Sequence, residues 1–125
     1  MQARGQLDEA LNIRTDEQLP VYERLGDVHA RAVAMGRIAT ILQARGDLDG
    51  SLRIRREEEL PVYERLGDAR FLLFGRWNLA GTLLLRGGEQ DREEARALLI
   101  MAVDEARRLQ LPEALQIERL LEHAR

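Results

Sequence analysis

Nine residues occur twice in this chain. Leu19-Pro20-Val21-Tyr22-Glu23-Arg24-Leu25-Gly26-Asp27 returns 41 residues later as Leu60-Pro61-Val62-Tyr63-Glu64-Arg65-Leu66-Gly67-Asp68. Self-similarity at a fixed period of roughly 20–50 residues is a strong constraint, because each copy is a small unit that buries its apolar face only by stacking on its neighbour. The echo is wider than the nine residues. Residues 5–27 match residues 46–68 at 16 of 23 positions, whereas residues 28–45 match 69–86 at only 3 of 18. Each unit therefore has a constant half and a variable half. Met1-Gln2-Ala3-Arg4-Gly5 echoes Leu42-Gln43-Ala44-Arg45-Gly46, so the chain is expected to open on the tail of an earlier unit, as a fragment of a longer array.

Both halves carry helix signals. Leu7-Asp8-Glu9-Ala10-Leu11 places acids in a first turn, where the helix dipole favours them. Leu25-Gly26-Asp27 pairs a helix-closing glycine with an aspartate able to cap the next helix. Pro20 and Pro61 fall inside the constant helices, so a kink is expected near Leu19 and Leu60, the alternative being a short break with residues 21–25 as a separate turn. Val28, Ala32, Met35, Ile38, Ala39 and Leu42 form the apolar stripe of the variable helix. Farther on, residues 68–86 read as a helix and Gly87-Gly88-Glu89-Gln90 as a lengthened loop. Residues 91–110 read as a helix with Ala95, Leu98, Leu99, Ala102, Val103, Ala106 and Leu109 on one face. Pro112 is expected to start a last helix bearing Leu115, Leu120 and Leu121. The sum is an all-α fold of about six helices, with short loops that impose antiparallel neighbours.

Composition removes several function classes. The net charge of −3 lacks the basic excess of a nucleic-acid footprint, and no run approaches the roughly 18 apolar residues of a membrane helix. There is no Cys, which excludes disulfides, thiolate metal sites and Cys nucleophiles and accords with a cytoplasmic setting. All 19 basic residues are Arg, so no Schiff-base or phosphate-loop lysine exists. His29 and His123 are the only near-neutral bases, far apart in sequence and expected in solvent. Glu57-Glu58-Glu59 beside Arg53, Arg55 and Arg56 reads as helix-surface pairing, Arg53 with Glu57 and Arg55 with Glu59, because three consecutive acids on a helix diverge and cannot converge on a metal. The expectation is a non-enzyme with no metal and no cofactor.

Leu79-Ala80, Leu83 and Gly87, with Ile38-Ala39, Leu42 and Gly46-Asp47-Leu48, resemble the helix-turn-helix core of the tetratricopeptide repeat, and Glu9-Ala10 and Glu94-Ala95 resemble the opening of its second helix. The likeness is to a long-period form: 41 residues rather than about 34, a longer second helix, and Ser51 where a small apolar residue is usual. It implies an α-solenoid of antiparallel hairpins, one repeat domain over residues 1–125 with units of about 5–45, 46–86 and 87–125. It also implies a protein-interaction scaffold whose groove takes a partner peptide or helix. The alternative is a regulatory or oligomerisation segment of a larger signalling or enzyme polypeptide.

In that family the first helix of each unit lines the groove. The positions that match are Val33, Gly36, Thr40 and Gln43 in one unit and Phe74, Trp77, Gly81 and Leu84 in the next. The second set is large and apolar, and burying one aromatic contributes about 1.5–3 kcal/mol, so Phe74 and Trp77 should be covered. Three covers are open: the last helix folded back as an end cap, a partner's helix or peptide, or a second copy of the chain. At the other end Leu7, Leu11 and Tyr22 form an apolar edge expected to support self-association into a homo-oligomer.

Overall fold

The computed structural model describes residues 27–125, which divide into two compact units with the boundary in sequence between Leu66 and Gly67. The described residues hold five helices and no strand. The expected first helix, over residues 7–25, lies outside them.

The first unit contains α1 (Val28–Ala44) and α2, a continuous helix made of α-helical Leu48–Ile54, π-helical Arg55–Glu59 and α-helical Leu60–Leu66. Asp27 caps α1 by accepting from the Ala30 amide at 2.8 Å. At the far end Gly46 takes the left-handed conformation, with φ of 91°, and the Asp47 amide reaches back to the Leu42 carbonyl at 2.8 Å. This closes the helix with the six-to-one bond expected of a glycine stop. Asp47 also caps α2 through the Gly50 amide at 2.8 Å, so one residue ends one helix and begins the next. With only that turn between them, α1 and α2 pack antiparallel: Arg31 in the first turn of α1 meets Glu58 of α2 at 2.9 Å, and Thr40, farther along α1, lies against the earlier Arg55. Ala32, Met35, Ile38 and Ala39 are buried as the stripe required, Leu42 is half-buried, and Val28 is 54% exposed.

The second unit contains α3 (Ala69–Arg86), α4 (Glu89–Arg108) and α5 (Ala114–Ala124). Asp68 caps α3 by accepting from the Phe71 amide at 3.1 Å. The expected long loop is shorter than its sequence suggested: Glu89 and Gln90 are helical and only Gly87-Gly88 connects α3 to α4. No aspartate stands at this cap. Asp91, one turn in, is instead gripped by the Arg86 guanidinium at 2.7 and 2.6 Å and accepts from the Gly88 amide at 3.4 Å. A two-pronged charge-assisted contact thus replaces the aspartate cap and pulls the first turn of α4 onto the end of α3.

Ala95, Leu99, Ala102, Val103 and Ala106 are buried, while Leu98 and Leu109 are half-buried. α5 lies antiparallel along α4, tied by Arg107 to Glu118 and by Arg96 to the Ala124 carbonyl at 3.2 Å. Pro112 does not begin that helix: Leu111-Pro112-Glu113 forms the turn and the helix starts at Ala114. Ile117 and Leu121 anchor α5, Leu120 is half-buried, and Leu115 is 63% exposed.

Candidate functional site

In the first unit α2 buries a polar row. Ser51, Arg55, Glu59 and Tyr63 succeed one another at intervals of four residues, and all four are buried. Four residues advance an α-helix by about 400°, so a four-residue row drifts about 40° per step away from its face. The backbone corrects the drift. Across Arg55–Glu59 the ladder widens and the Leu60 amide bonds the Arg55 carbonyl, five residues back. The disturbance expected from Pro61 therefore takes the form of a π-turn just before it. Proline has no amide hydrogen and its ring crowds the carbonyl four residues earlier; a wider preceding turn relieves that crowding.

The row meets α1 at its small residues. Glu59 Oε1 accepts from Arg55 Nη1 at 3.2 Å, and Glu59 Oε2 accepts from the Tyr63 hydroxyl at 3.0 Å. Arg55 Nη2 donates to Thr40 Oγ1 at 3.1 Å, and Thr40 in turn donates to the Gly36 carbonyl at 3.1 Å. The Glu59 carboxylate rests on the bare Cα of Gly36: a Cβ built there would stand 2.9 Å from Glu59 Cδ and closer still to its oxygen. The Tyr63 ring also stands 5.8 Å from that of His29, which is half-buried rather than solvated; His123 is exposed.

Sequence reasoning placed Arg55–Glu59 among surface pairs. Instead the two side chains are 2% and 8% exposed, whereas Arg53 and Glu57 stand in solvent. Burial pushes the Glu59 carboxyl above its ordinary range, and the attraction of Arg55 and the bonds from Tyr63 and Arg55 recover only part of that shift. Arg55 Nε and Ser51 Oγ are buried without a hydrogen-bond partner. The cluster joins α1 to α2 through directed bonds and offers no paired nucleophile and base. The signals for it were present in the sequence: the four-residue spacing, and a glycine in mid-helix opposite.

The positions matched to a groove fall on one face of each variable helix. On α1, Val33 and Gln43 are half-buried, and Gly36 and Thr40 are engaged by Glu59 and Arg55. On α3, Phe74, Trp77, Gly81 and Leu84 are half-buried. Phe74 and Trp77 stack with centroids 6.0 Å apart at 26°, and the Arg70 guanidinium lies 5.8 Å from the Phe74 centroid. The last helix packs chiefly along α4 rather than along α3. Between α4 and α5 lies an open groove of about 420 Å³ with Ile100, Val103, Leu115 and Leu121 on its walls and the Arg107–Glu118 pair across it.

The self-association edge of Leu7, Leu11 and Tyr22 lies outside the described residues. Among those described, no group of three or more His, Asp or Glu side chains is arranged to hold a metal ion, and no helix is long and apolar enough to cross a membrane. No family model, curated protein or solved structure matches the chain.

Proposed function

We propose that this chain is a tetratricopeptide-like repeat segment, its hairpins stacked as an α-solenoid, that serves as a non-catalytic scaffold for protein–protein interaction. One observation carries the reading: a constant frame holds helices whose faces differ. Asp27 and Asp68, 41 residues apart, cap α1 and α3 with nearly identical backbone angles, φ −86° and −85° and ψ 86° in both. Gly46 and Gly87, again 41 apart, end the same two helices in the left-handed conformation. Between these fixed ends the matched positions read Val33/Phe74, Gly36/Trp77, Thr40/Gly81 and Gln43/Leu84; Gly36 and Thr40 are engaged by Glu59 and Arg55, which leaves the α3 set, with Val33 and Gln43, as the candidate surface. A frame kept while one face varies suits a family of recognition surfaces, and a stacked aromatic pair with an arginine beside it has the composition of binding hot spots.

The test is selection of random peptides from a display library against the full chain. Convergent binders that lose affinity at least tenfold to Phe74→Ala/Trp77→Ala, with helicity and unfolding midpoint retained, support the scaffold. Absence of convergent binders, or binders indifferent to α1 and α3 substitutions alike, refutes it.

A further inference from the structure

α4 and α2 bury corresponding rows by different means. In α4 the row Ala95, Leu99, Val103, Ala106 ends eleven residues from its start and the helix keeps the plain α pattern throughout. In α2 the row Ser51, Arg55, Glu59, Tyr63 ends twelve residues from its start. At about 100° per residue, eleven residues return within about 20° of the starting direction, whereas twelve overshoot by about 120°. Absorbing one residue in a π-turn removes about 100° of that overshoot. The matched members of the two rows are Ser51/Ala95, Arg55/Leu99, Glu59/Val103 and Tyr63/Ala106, so the polar residues and the extra residue occur together.

We propose that α2 is a two-register helix whose π-turn is latched by the Glu59 carboxylate seated on Gly36, and that removing latch or seat returns it to the α pattern. A π-turn is uncommon and persists where its surroundings over-determine it. Here one side chain does so from both sides. Glu59 takes a bond from Arg55, four residues before it, and another from Tyr63, four residues after it, and so spans the widened turn.

The sequence furnishes apolar faces for both registers. In the π register Leu60 and Tyr63 are buried and Val62 is half-buried. In the α register every residue after Glu59 turns by about 100°, and Val62 takes the direction that Tyr63 now holds. Pro61 donates no ladder bond in either state, but its ring is eased by the wider turn, so the return to the α pattern is made against that steric preference.

The experiment is an NMR measurement on the full chain of which carbonyl accepts the Leu60 amide, read from coupling across the hydrogen bond. Wild type should couple to position 55. The double variant Arg55→Leu/Glu59→Val imports the residues that α4 carries, and apolar replacement of a buried ion pair is often neutral or stabilising. In it the coupling should move to Arg56, and the Tyr63 ring should lose its contact with His29. Gly36→Ala, which keeps every side chain of the row but denies the carboxylate its seat, should produce the same move. Coupling that stays with position 55 in either folded variant overturns the proposal, as does a wild-type Leu60 amide bonded to Arg56.

Discussion

Gly36 and Gly81 occupy mid-helix positions of α1 and α3, and alanine at the two should act in opposite directions. Inside a helix alanine is favoured over glycine by about 1 kcal/mol. At Gly81 nothing lies within 4 Å of an added Cβ, so Gly81→Ala should gain roughly that 1 kcal/mol. At Gly36 the added carbon falls 2.9 Å from Glu59 Cδ, and the carboxylate must leave its seat. Leaving breaks its bonds to Arg55 and Tyr63 and strands a guanidinium whose side chain is 2% exposed. Removing one partner of a buried pair costs about 3–5 kcal/mol. Set against the propensity gain of about 1 kcal/mol, the net loss should be about 2–4 kcal/mol.

Urea unfolding followed by far-ultraviolet circular dichroism reads both effects as midpoint shifts, provided the slopes agree between variants. A third background isolates the cause. In Arg55→Leu/Glu59→Val no carboxylate occupies the seat, so Gly36→Ala should change sign and stabilise by about 1 kcal/mol. The cycle then shows a coupling of about 3 kcal/mol or more between positions 36 and 55/59. Gly36→Ala that is neutral in wild type, or equally damaging in the apolar background, would show that the seat has no energetic role.

Three further expectations concern single groups. Ser51→Ala should raise stability by about 1 kcal/mol in the same unfolding assay, because Ser51 Oγ is buried without a partner and Ala95 stands at the matched position; a loss would mean the hydroxyl is bonded in solution. Gln110 closes α4 with φ of 55°, beneath the Leu111-to-Ala106 bond of a glycine-type stop, so Gln110→Gly should raise the thermal midpoint, with a gain of up to about 1 kcal/mol, and an unchanged or lower midpoint would count against strain there. The Glu59 carboxyl titrates above its ordinary value in the folded state, so the folded chain holds that proton more tightly than the unfolded chain does. Its stabilising contribution is therefore full below 4.5 and is lost as pH rises through the folded value. Glu59→Gln should flatten that part of the stability–pH curve, and a curve of unchanged slope would remove Glu59 as its source.

The helical frame was legible because its signals are local. Asp27, Asp47 and Asp68 cap helices through bonds that span three residues, and Gly46, Gly67 and Gly87 all take positive φ. The end of α3 misled because Glu89 and Gln90 look like loop residues beside two glycines; the Arg86–Asp91 clamp, which depends on a side chain from the preceding helix, draws them into α4. The buried cluster was legible only in part. A pair four residues apart identifies Arg55 and Glu59 as neighbours but does not say which way they face, and the run of three acids suggested solvent. Burial is decided by α1, whose Gly36 leaves room for a carboxylate and whose Thr40 accepts from the guanidinium. Pro61 announced a disturbance whose position was legible and whose form, a widened turn rather than a simple kink, depended on that packing.

The chain solves one packing problem twice, and the contrast between the solutions indicates what the charged one is for. Leu99 and Val103 fill in α4 the places that Arg55 and Glu59 fill in α2. Burial holds the Glu59 carboxyl above its ordinary range despite Arg55, and replacing a buried ion pair by apolar side chains of similar volume is often neutral or stabilising, so stability alone does not call for the charged version. What Leu and Val lack is direction: neither can bond a residue four before it and another four after it. A carboxylate does both, and it sits where the ladder changes register. The row is also written a second time in the sequence, as Ala10, Arg14, Gln18 and Tyr22 around Pro20. There an amide stands in the carboxylate's place, still able to accept from a guanidinium and a phenol but without the charge. What the two rows share in sequence is a side chain able to accept hydrogen bonds, placed between Arg and Tyr at four-residue spacing, and at Glu59 that side chain is the bridge across the widened turn.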